Sequence, residues 1–245
     1  MSLAYRKSTN RKDLSTLHPD PWLSEQLCRP CFRYDSSEQG PRGLRELLAG
    51  IPESRAFVFA RLSCDRTDES ILLQDAGFRV VDVNLTLVKK ISKSFPTAFE
   101  IREAVPEDEE AVAGIAGSAY RFSRFHLDPA FEKNEADTLK RAWVQNFFRG
   151  KRGHKLLVAL REGRPAGFLL ALKKAESCVI DLIGVSEDSH RSGIGSALIA
   201  ACESAFEGAD EISAGTQAAN IASMRLYGRL GFRLRSSQFI LHWHK

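Results

Sequence analysis

Two groups of residues in this chain have types and spacings that suit chemistry. The first lies in the stretch from Leu182 to Leu198, LIGVSEDSHRSGIGSAL. A short apolar β-type run, Val179–Val185, passes through a polar loop into Gly193-Ile194-Gly195, and an alanine-rich helical pattern begins at once. The first N–H groups of a helix have no partner within it, and the helix dipole adds roughly half a positive charge there. Glycines let the backbone approach an anion closely. The stretch therefore reads as a phosphate-binding loop, and alternatively as a plain strand–turn–helix connection. The second group is Asn220 and Tyr227 ahead of Gly231-Phe232. A phenol can donate a proton without carrying charge in its resting state. The alternative reading of Tyr227 is a core tyrosine on a buried helix face.

The elements that must hold these residues follow from periodicity. Ala98–Glu103 reads as a strand. Val105-Pro106-Glu107-Asp108 opens a helix to about Ala119, with Pro and acids in its first turn where the dipole favours them. A loop dense in cations and aromatics, Tyr120 to Pro129, precedes a helix over Asn134–Phe148 with Leu139, Trp143 and Phe147 at helical spacing. Lys155–Arg161 and Pro165–Lys173 form a hairpin through Glu162-Gly163-Arg164. After the glycine loop come a helix over Gly195–Phe206, a strand over Glu211–Gly215, a helix over Ala219–Leu230, and strands at Phe232–Arg235 and Gln238–Trp243. The expected fold class is α/β (α+β): a mixed, mostly antiparallel sheet with helices on both faces.

Upstream, residues 13–50 carry four prolines and read as loops with short elements. Arg55–Ser63 reads as a strand, Asp68–Ala76 as a helix closed by Gly77, and Phe78–Val88 as a strand. This block echoes the C-terminus. Leu72-Leu73-Gln74-Asp75-Ala76-Gly77-Phe78-Arg79 aligns with Leu226-Tyr227-Gly228-Arg229-Leu230-Gly231-Phe232-Arg233 at an offset of 154. The upstream copy has no Gly-x-Gly loop, and Arg66 and Leu73 stand where Asn220 and Tyr227 stand downstream. The expected organisation is a flexible basic tail over 1–12, a partial and chemically silent duplicate over 13–93, a linker over Lys89–Thr97, and the reactive domain over 98–245.

Composition excludes several classes. The 245 residues are 43% hydrophobic and 27% charged, ordinary for a globular protein, and no apolar run is long enough to span a membrane. The net charge of +4 is carried by Arg6, Lys7, Arg11 and Lys12, so the rest of the chain is balanced. The N-terminus lacks the apolar core of a secretory signal. No basic–aromatic stripe suits nucleic acid. Five scattered cysteines, two of them in a Cys28-Arg-Pro-Cys31 pair without further ligands, point to reduced structural thiols in a cytoplasm and to no metal site.

A strand, a Gly-x-Gly loop opening a helix, a further strand, then Asn220, Tyr227 and Gly231-Phe232 resembles the GNAT family of N-acetyltransferases over residues 98–245. No nucleoside-triphosphate loop and no dinucleotide-binding glycine motif competes with it. The resemblance implies acetyl-CoA as cosubstrate. Backbone N–H groups from Arg191, Ser192, Gly193, Ile194, Gly195 and Ser196 would hold its pyrophosphate. The family usually has Arg or Gln, then Gly, where this chain has His190 and Arg191. The backbone of Ile183, Gly184 and Val185 would pair with the pantetheine arm as an added strand. The Val185 N–H would stabilise the thioester oxyanion, Asn220 would bond the pantetheine, and Tyr227 would protonate the leaving thiolate. Asp181, His126 and His154 are candidate bases, beside a water relay.

The loop Ser123-Arg124-Phe125, with the later Trp143 and Arg149-Gly150, resembles that of the dTDP-fucosamine N-acetyltransferases, which acetylate a nucleotide-linked amino sugar and carry a truncated N-terminal acetyltransferase-like domain. That resemblance implies Arg121, Arg124 and Phe125 as acceptor contacts; arginines suit a diphosphate and aromatic faces a base or sugar. Other amine acceptors (a protein N-terminus, an antibiotic, a polyamine), a non-catalytic acyl-CoA-binding role and a homodimer stay open.

Overall fold

The computed structural model describes residues 17–35, 43–52, 55–91, 98–206 and 208–245, so the basic tail over 1–12 lies outside the described residues. The elements are β1 (Leu17–Pro19), α1 (Pro21–Leu27), β2 (Cys31–Tyr34), α2 (Leu44–Ala49), β3 (Phe57–Ser63), α3 (Thr67–Asp75), β4 (Arg79–Lys90), β5 (Glu100–Glu103), α4 (Glu109–Ser118), α5 (Arg124–Leu127), α6 (Lys133–Phe148), β6 (Lys155–Arg161), β7 (Arg164–Lys174), β8 (Ser177–Val185), α7 (Ile194–Ala205), β9 (Glu211–Gln217), α8 (Ile221–Arg229) and β10 (Arg233–His244). The two strands expected near the C-terminus are a single one, β10. No helix among the described residues is long and apolar enough to cross a membrane.

The repeat is geometric as well as sequential. β3, α3 and β4 map onto β9, α8 and β10 at the same offset of 154, end for end. Each helix stops the same way. Gly77 has φ 100° and Gly231 φ 86°, a left-handed conformation that glycine adopts without penalty. The next amide then turns back: Phe78 N–H donates to Leu73 O, and Phe232 N–H to Tyr227 O, both at 3.0 Å.

The chain divides at other places than composition suggested. One compact unit holds the described residues up to Val80 with Phe239–Lys245; the other is Val81–Gln238. Both cuts fall inside strands, β4 and β10. In the first unit the sheet order is β1-β2-β3-β10; in the second it is β4-β9-β8-β7-β6-β5. Most of β4 therefore belongs to the second unit and the end of β10 to the first. β4 runs antiparallel to β9, from Asn84 opposite Gln217 to Lys90 opposite Glu211. Lys89 and Lys90, expected in a linker, end that strand, and Lys89 Nζ pairs at 2.7 Å with buried Glu203 of α7. Residues 92–97 lie outside the described residues. Composition reads local flexibility; it carries no record of which strand an edge pairs with.

In the larger unit both sheet faces are covered. Leu157, Leu169, Ile180, Ile212 and Leu87 pack with Leu198, Ile199 and Cys202 of α7 and with Tyr227 and Phe232. The opposite face packs Leu156, Phe168, Leu170 and Leu182 against Val112 and Ala116 of α4 and Val144 of α6. Each such side chain stabilises by roughly 1.5–3 kcal/mol when fully buried.

Candidate functional site

The site begins where β8 leaves β9. The two run parallel from Ser177 opposite Glu211 to Ile180 opposite Ala214, and there the pairing stops although both strands continue. On its other edge β8 stays paired with β7 to Val185 opposite Gly167, but Leu170 faces Leu182 while Ala171 faces Ile180. Asp181 is thus an extra residue, a bulge that bends β8 away from β9 and opens a wedge. Ser186 N–H bonds to Ala166 O at 2.8 Å. Antiparallel ladders alternate bonded and unbonded pairs, so the backbone polar groups of Val185 and Ile183 point away from β7 and into the wedge. The Val185 carbonyl is met by His190 Nε2 at 3.1 Å, which leaves the Val185 N–H as the inward-facing donor. Gly184 has a steric reason to be glycine: an added Cβ would lie 2.8 Å from Phe168 Cε1.

The glycine loop opens α7 at the mouth of this wedge. Arg191 holds φ 61° and Gly193 φ 99°, and no side chain caps the helix. The first intrahelical bond is Ala197 N–H to Gly193 O at 3.0 Å. The N–H groups of Ile194, Gly195 and Ser196 precede it, so they are unpaired within the helix. Ser192 Oγ donates to Ser189 O at 2.6 Å and stiffens the loop. A Cβ on Gly195 would meet Leu226 Cδ2 at 3.4 Å, an ordinary contact that places the start of α7 beside α8.

Asn220 and Tyr227 both belong to α8. Asn220 is its N-cap, with Oδ1 accepting from Ser223 N–H at 3.1 Å. Tyr227 is 3% exposed and packs edge-on against Phe232 with ring centres 5.1 Å apart. Burial raises its phenol pKa well above the usual tyrosine range, so the proton stays on oxygen. Sequence reasoning missed Tyr120 as a site residue, although it begins the acceptor loop. Its hydroxyl donates to Ile183 O at 2.9 Å, and burial, then the neighbouring Tyr227 and Asp181, keep it protonated. A tyrosine next to a cationic loop carries no local signal of that bond.

The three candidate bases are engaged elsewhere. Asp181 is clamped by Arg152, whose Nε and second terminal nitrogen reach its two oxygens at 2.5 and 2.6 Å, and it accepts from Trp143 Nε1 at 3.2 Å. The Arg152 guanidinium also lies 4.8 Å from the Trp143 ring centre. His126 bridges Ser123 Oγ (2.6 Å) and Asp137 Oδ1 (2.9 Å), and burial lowers its pKa. His154 Nδ1 accepts from Lys173 N–H at 3.1 Å.

The expected acceptor residues separate. Arg121 is exposed and pairs with Glu187 in the segment after β8 at 3.1 Å. Phe125 is 1% exposed and lies edge-on to Phe131 at 5.2 Å, so its ring packs in the core at α5 and presents almost no surface. Arg124 stacks on it at 4.5 Å. Apolar burial outweighs a solvent-facing role for that ring. The five cysteines are free thiols, Cys178 and Cys202 facing one another at 3.5 Å in the core.

With this geometry in hand, likenesses to known proteins fall into place. Residues 119–232 match the sequence model described as the acetyltransferase (GNAT) family. The chain is 29% identical over 191 residues to the spore coat polysaccharide biosynthesis protein SpsD of Bacillus subtilis (strain 168). That match takes in 76% of this chain and 66% of SpsD, just short of two thirds of its length. Among solved structures, a GCN5-related N-acetyltransferase from Sphaerobacter thermophilus superposes with a TM-score of 0.59 at 17% identity, over 89% of this chain and 74% of that one. A tandem GNAT protein from the clavulanic acid biosynthesis pathway gives 0.60 at 11% identity, over 88% and 75%. Both are likenesses of fold.

Proposed function

The chain carries a GNAT-family acetyltransferase domain, and we propose that it moves an acetyl group from acetyl-CoA to a primary amine, that of a nucleotide-linked amino sugar, by direct attack. The wedge between β8 and β9 carries this reading. An extended pantetheine arm lies along the open edge of β8, its amides meeting Ile183 and Val185 as a neighbouring strand would. The N–H groups of Gly193 to Ser196, with Ser192 and Arg191 beside them, take the pyrophosphate. Asn220 Oδ1 is committed to capping α8, so its amide N–H donors are the part that meets a pantetheine carbonyl.

The amine attacks the thioester carbon. The Val185 N–H stabilises the oxyanion, and Tyr227 gives its proton to the departing thiolate. Being buried and protonated, Tyr227 costs no charge separation before the reaction.

The sugar acceptor has two supports. SpsD is a polysaccharide biosynthesis protein. The acceptor side presents Arg121, which suits a diphosphate, whereas a polycationic amine calls for acids. We place the reaction in the cytoplasm, where acetyl-CoA and nucleotide sugars meet.

The test is release of free coenzyme A from acetyl-CoA with a panel of acceptors: a dTDP-linked 4-amino sugar, spermidine, an aminoglycoside and a peptide N-terminus. Turnover with the amino sugar above the others is expected. Tight acetyl-CoA binding without acceptor-stimulated release would leave a binding module instead.

A further inference from the structure

The N-terminal repeat was expected to be chemically silent, and its last strand pairs with β9, one wall of the wedge. In β4, Leu87 joins the cluster on α7 and Lys89 pairs with Glu203 of α7. Side chains alternate along a strand, so Asp82 and Asn84 face the other way, to the side of the sheet that carries α4, α6, Tyr120 and the clamped Asp181. Asp82 is 6% exposed. Neither of its carboxylate oxygens has a hydrogen-bond partner, and neither has Asn84 Oδ1. Burial pushes the Asp82 carboxyl up to about 6; the adjacent Val83 N–H offsets this in part without reaching bonding geometry. Buried polar groups are almost always paired, so two orphans side by side on one strand face call for a ligand.

Register says where that ligand sits. Asn84 lies opposite Gln217, the last residue of β9, and Ala218 N–H bonds Val83 O at 2.8 Å. Asp82 is therefore level with Ala219, where the chain has left β9 and turned toward α8. Val185, counted forward from the Ile180–Ala214 pair and allowing for the bulged Asp181, lies level with Ala218. Between Asp82 and Val185 lies the turn over residues 218–220, through which the chain leaves β9 for α8. Two strand spacings are about 10 Å. Over the face of the sheet that carries Tyr120 and Asp181, that distance is spanned by a reacting carbonyl, an attacking nitrogen and one bridging water.

We propose that Asp82, with Asn84 beside it, forms the far wall of the wedge, receives the acceptor's amino group and takes the proton it must lose. The assignment rests on the acetyl-transfer reading above. The Asp82 carboxylate accepts a proton from the bound ammonium, directly or across one water, giving a carboxylic acid and a neutral amine. Asn84 Oδ1 accepts a second N–H of the same group. The nitrogen bonds the acetyl carbonyl carbon, the carbon–sulfur bond breaks with its electron pair on sulfur, and the Tyr227 proton goes to that thiolate. The surplus proton on nitrogen restores the Tyr227 phenol, and Asp82 releases its own to solvent.

Two measurements test this. The first compares coenzyme A release by the wild type, Asp82→Asn and Asp82→Glu with whichever acceptor is turned over. Asp82→Asn should lower kcat by about 100-fold or more with the KM for acetyl-CoA within about twofold, and Asp82→Glu should recover part of the loss. The second needs no acceptor. Protein saturated with coenzyme A and labelled with 13C-aspartate is titrated with methylammonium chloride, and the carboxyl resonance missing from Asp82→Asn identifies Asp82. That resonance should move saturably. Wild-type kcat in Asp82→Asn, or an Asp82 resonance unmoved through the whole titration, overturns the assignment. If the dTDP-linked amino sugar is not turned over, the sugar reading fails and the methylammonium titration still decides on Asp82.

Discussion

The hydroxyl of Tyr120 donates a 2.9 Å hydrogen bond to the carbonyl of Ile183, tying the chain just after α4 to the open edge of β8. The bond crosses the place where β9 no longer supplies a partner. It fixes the direction of the Ile183 peptide, and with it the N–H groups that a pantetheine strand would use. Tyr120→Phe leaves a buried carbonyl unpaired, at a cost of about 1–3 kcal/mol in stability. The KM for acetyl-CoA should rise with it. Chemical denaturation and saturation kinetics on the same variant check both.

Tyr227→Phe removes the proposed proton donor while keeping the ring that packs on Phe232. We expect kcat to fall by a factor on the order of 100 or more, with acetyl-CoA binding retained. Because burial raises the phenol pKa, the wild-type rate should show no alkaline loss from Tyr227 near pH 8 to 9. A pH series of coenzyme A release, run on both proteins, reads this directly.

The Arg152–Asp181 clamp holds the bulge that opens the wedge. Arg152→Met strands a carboxylate that is nearly inaccessible to solvent, and should cost about 3–5 kcal/mol. Adding Asp181→Asn to that variant removes the stranded charge and should restore much of the loss. Thermal unfolding of the two single variants and the double variant measures the coupling.

Asp82 should penalise the fold at neutral pH. Its carboxyl titrates at about 6 in the folded protein against 3.8 in the open chain, so folding favours the protonated form. Its contribution is most favourable below about pH 4 and is lost as the pH rises through about 6. A shift of this size corresponds to roughly 3 kcal/mol. Asp82→Asn should therefore unfold at a higher temperature than the wild type at pH 8, with the difference vanishing near pH 4. Calorimetry at the two pH values decides it.

Much of the fold was legible because its signals are local. The hairpin between β6 and β7 turns on Glu162 and Gly163, at φ 53° and 74°, the left-handed pair that a two-residue turn wants. α6 was visible in the spacing of Leu139, Trp143 and Phe147. The match of Gly77-Phe78 with Gly231-Phe232 revealed a repeat whose elements coincide end for end. Other features were not legible. Phe125 looked like a recognition residue because aromatic side chains serve both cores and ligands, and only the packing of Phe131 distinguishes the two. Asp181 looked like a base because the sequence does not show Arg152 lying across it.

By itself the sequence determined the types of the elements, the glycine loop with Asn220 and Tyr227 after it, and the likeness of its two halves. These depend on backbone preferences and side-chain periods that act within a few residues. Tertiary structure alone decided that β4 leaves its own repeat to lie beside β9, that a bulge at Asp181 parts β8 from β9, and that Asp82 is buried with neither carboxylate oxygen hydrogen-bonded. Strand partners and buried charges depend on residues more than a hundred positions apart. Such contacts are set by which edges remain to be paired once the core has closed, and no short stretch of chain encodes that.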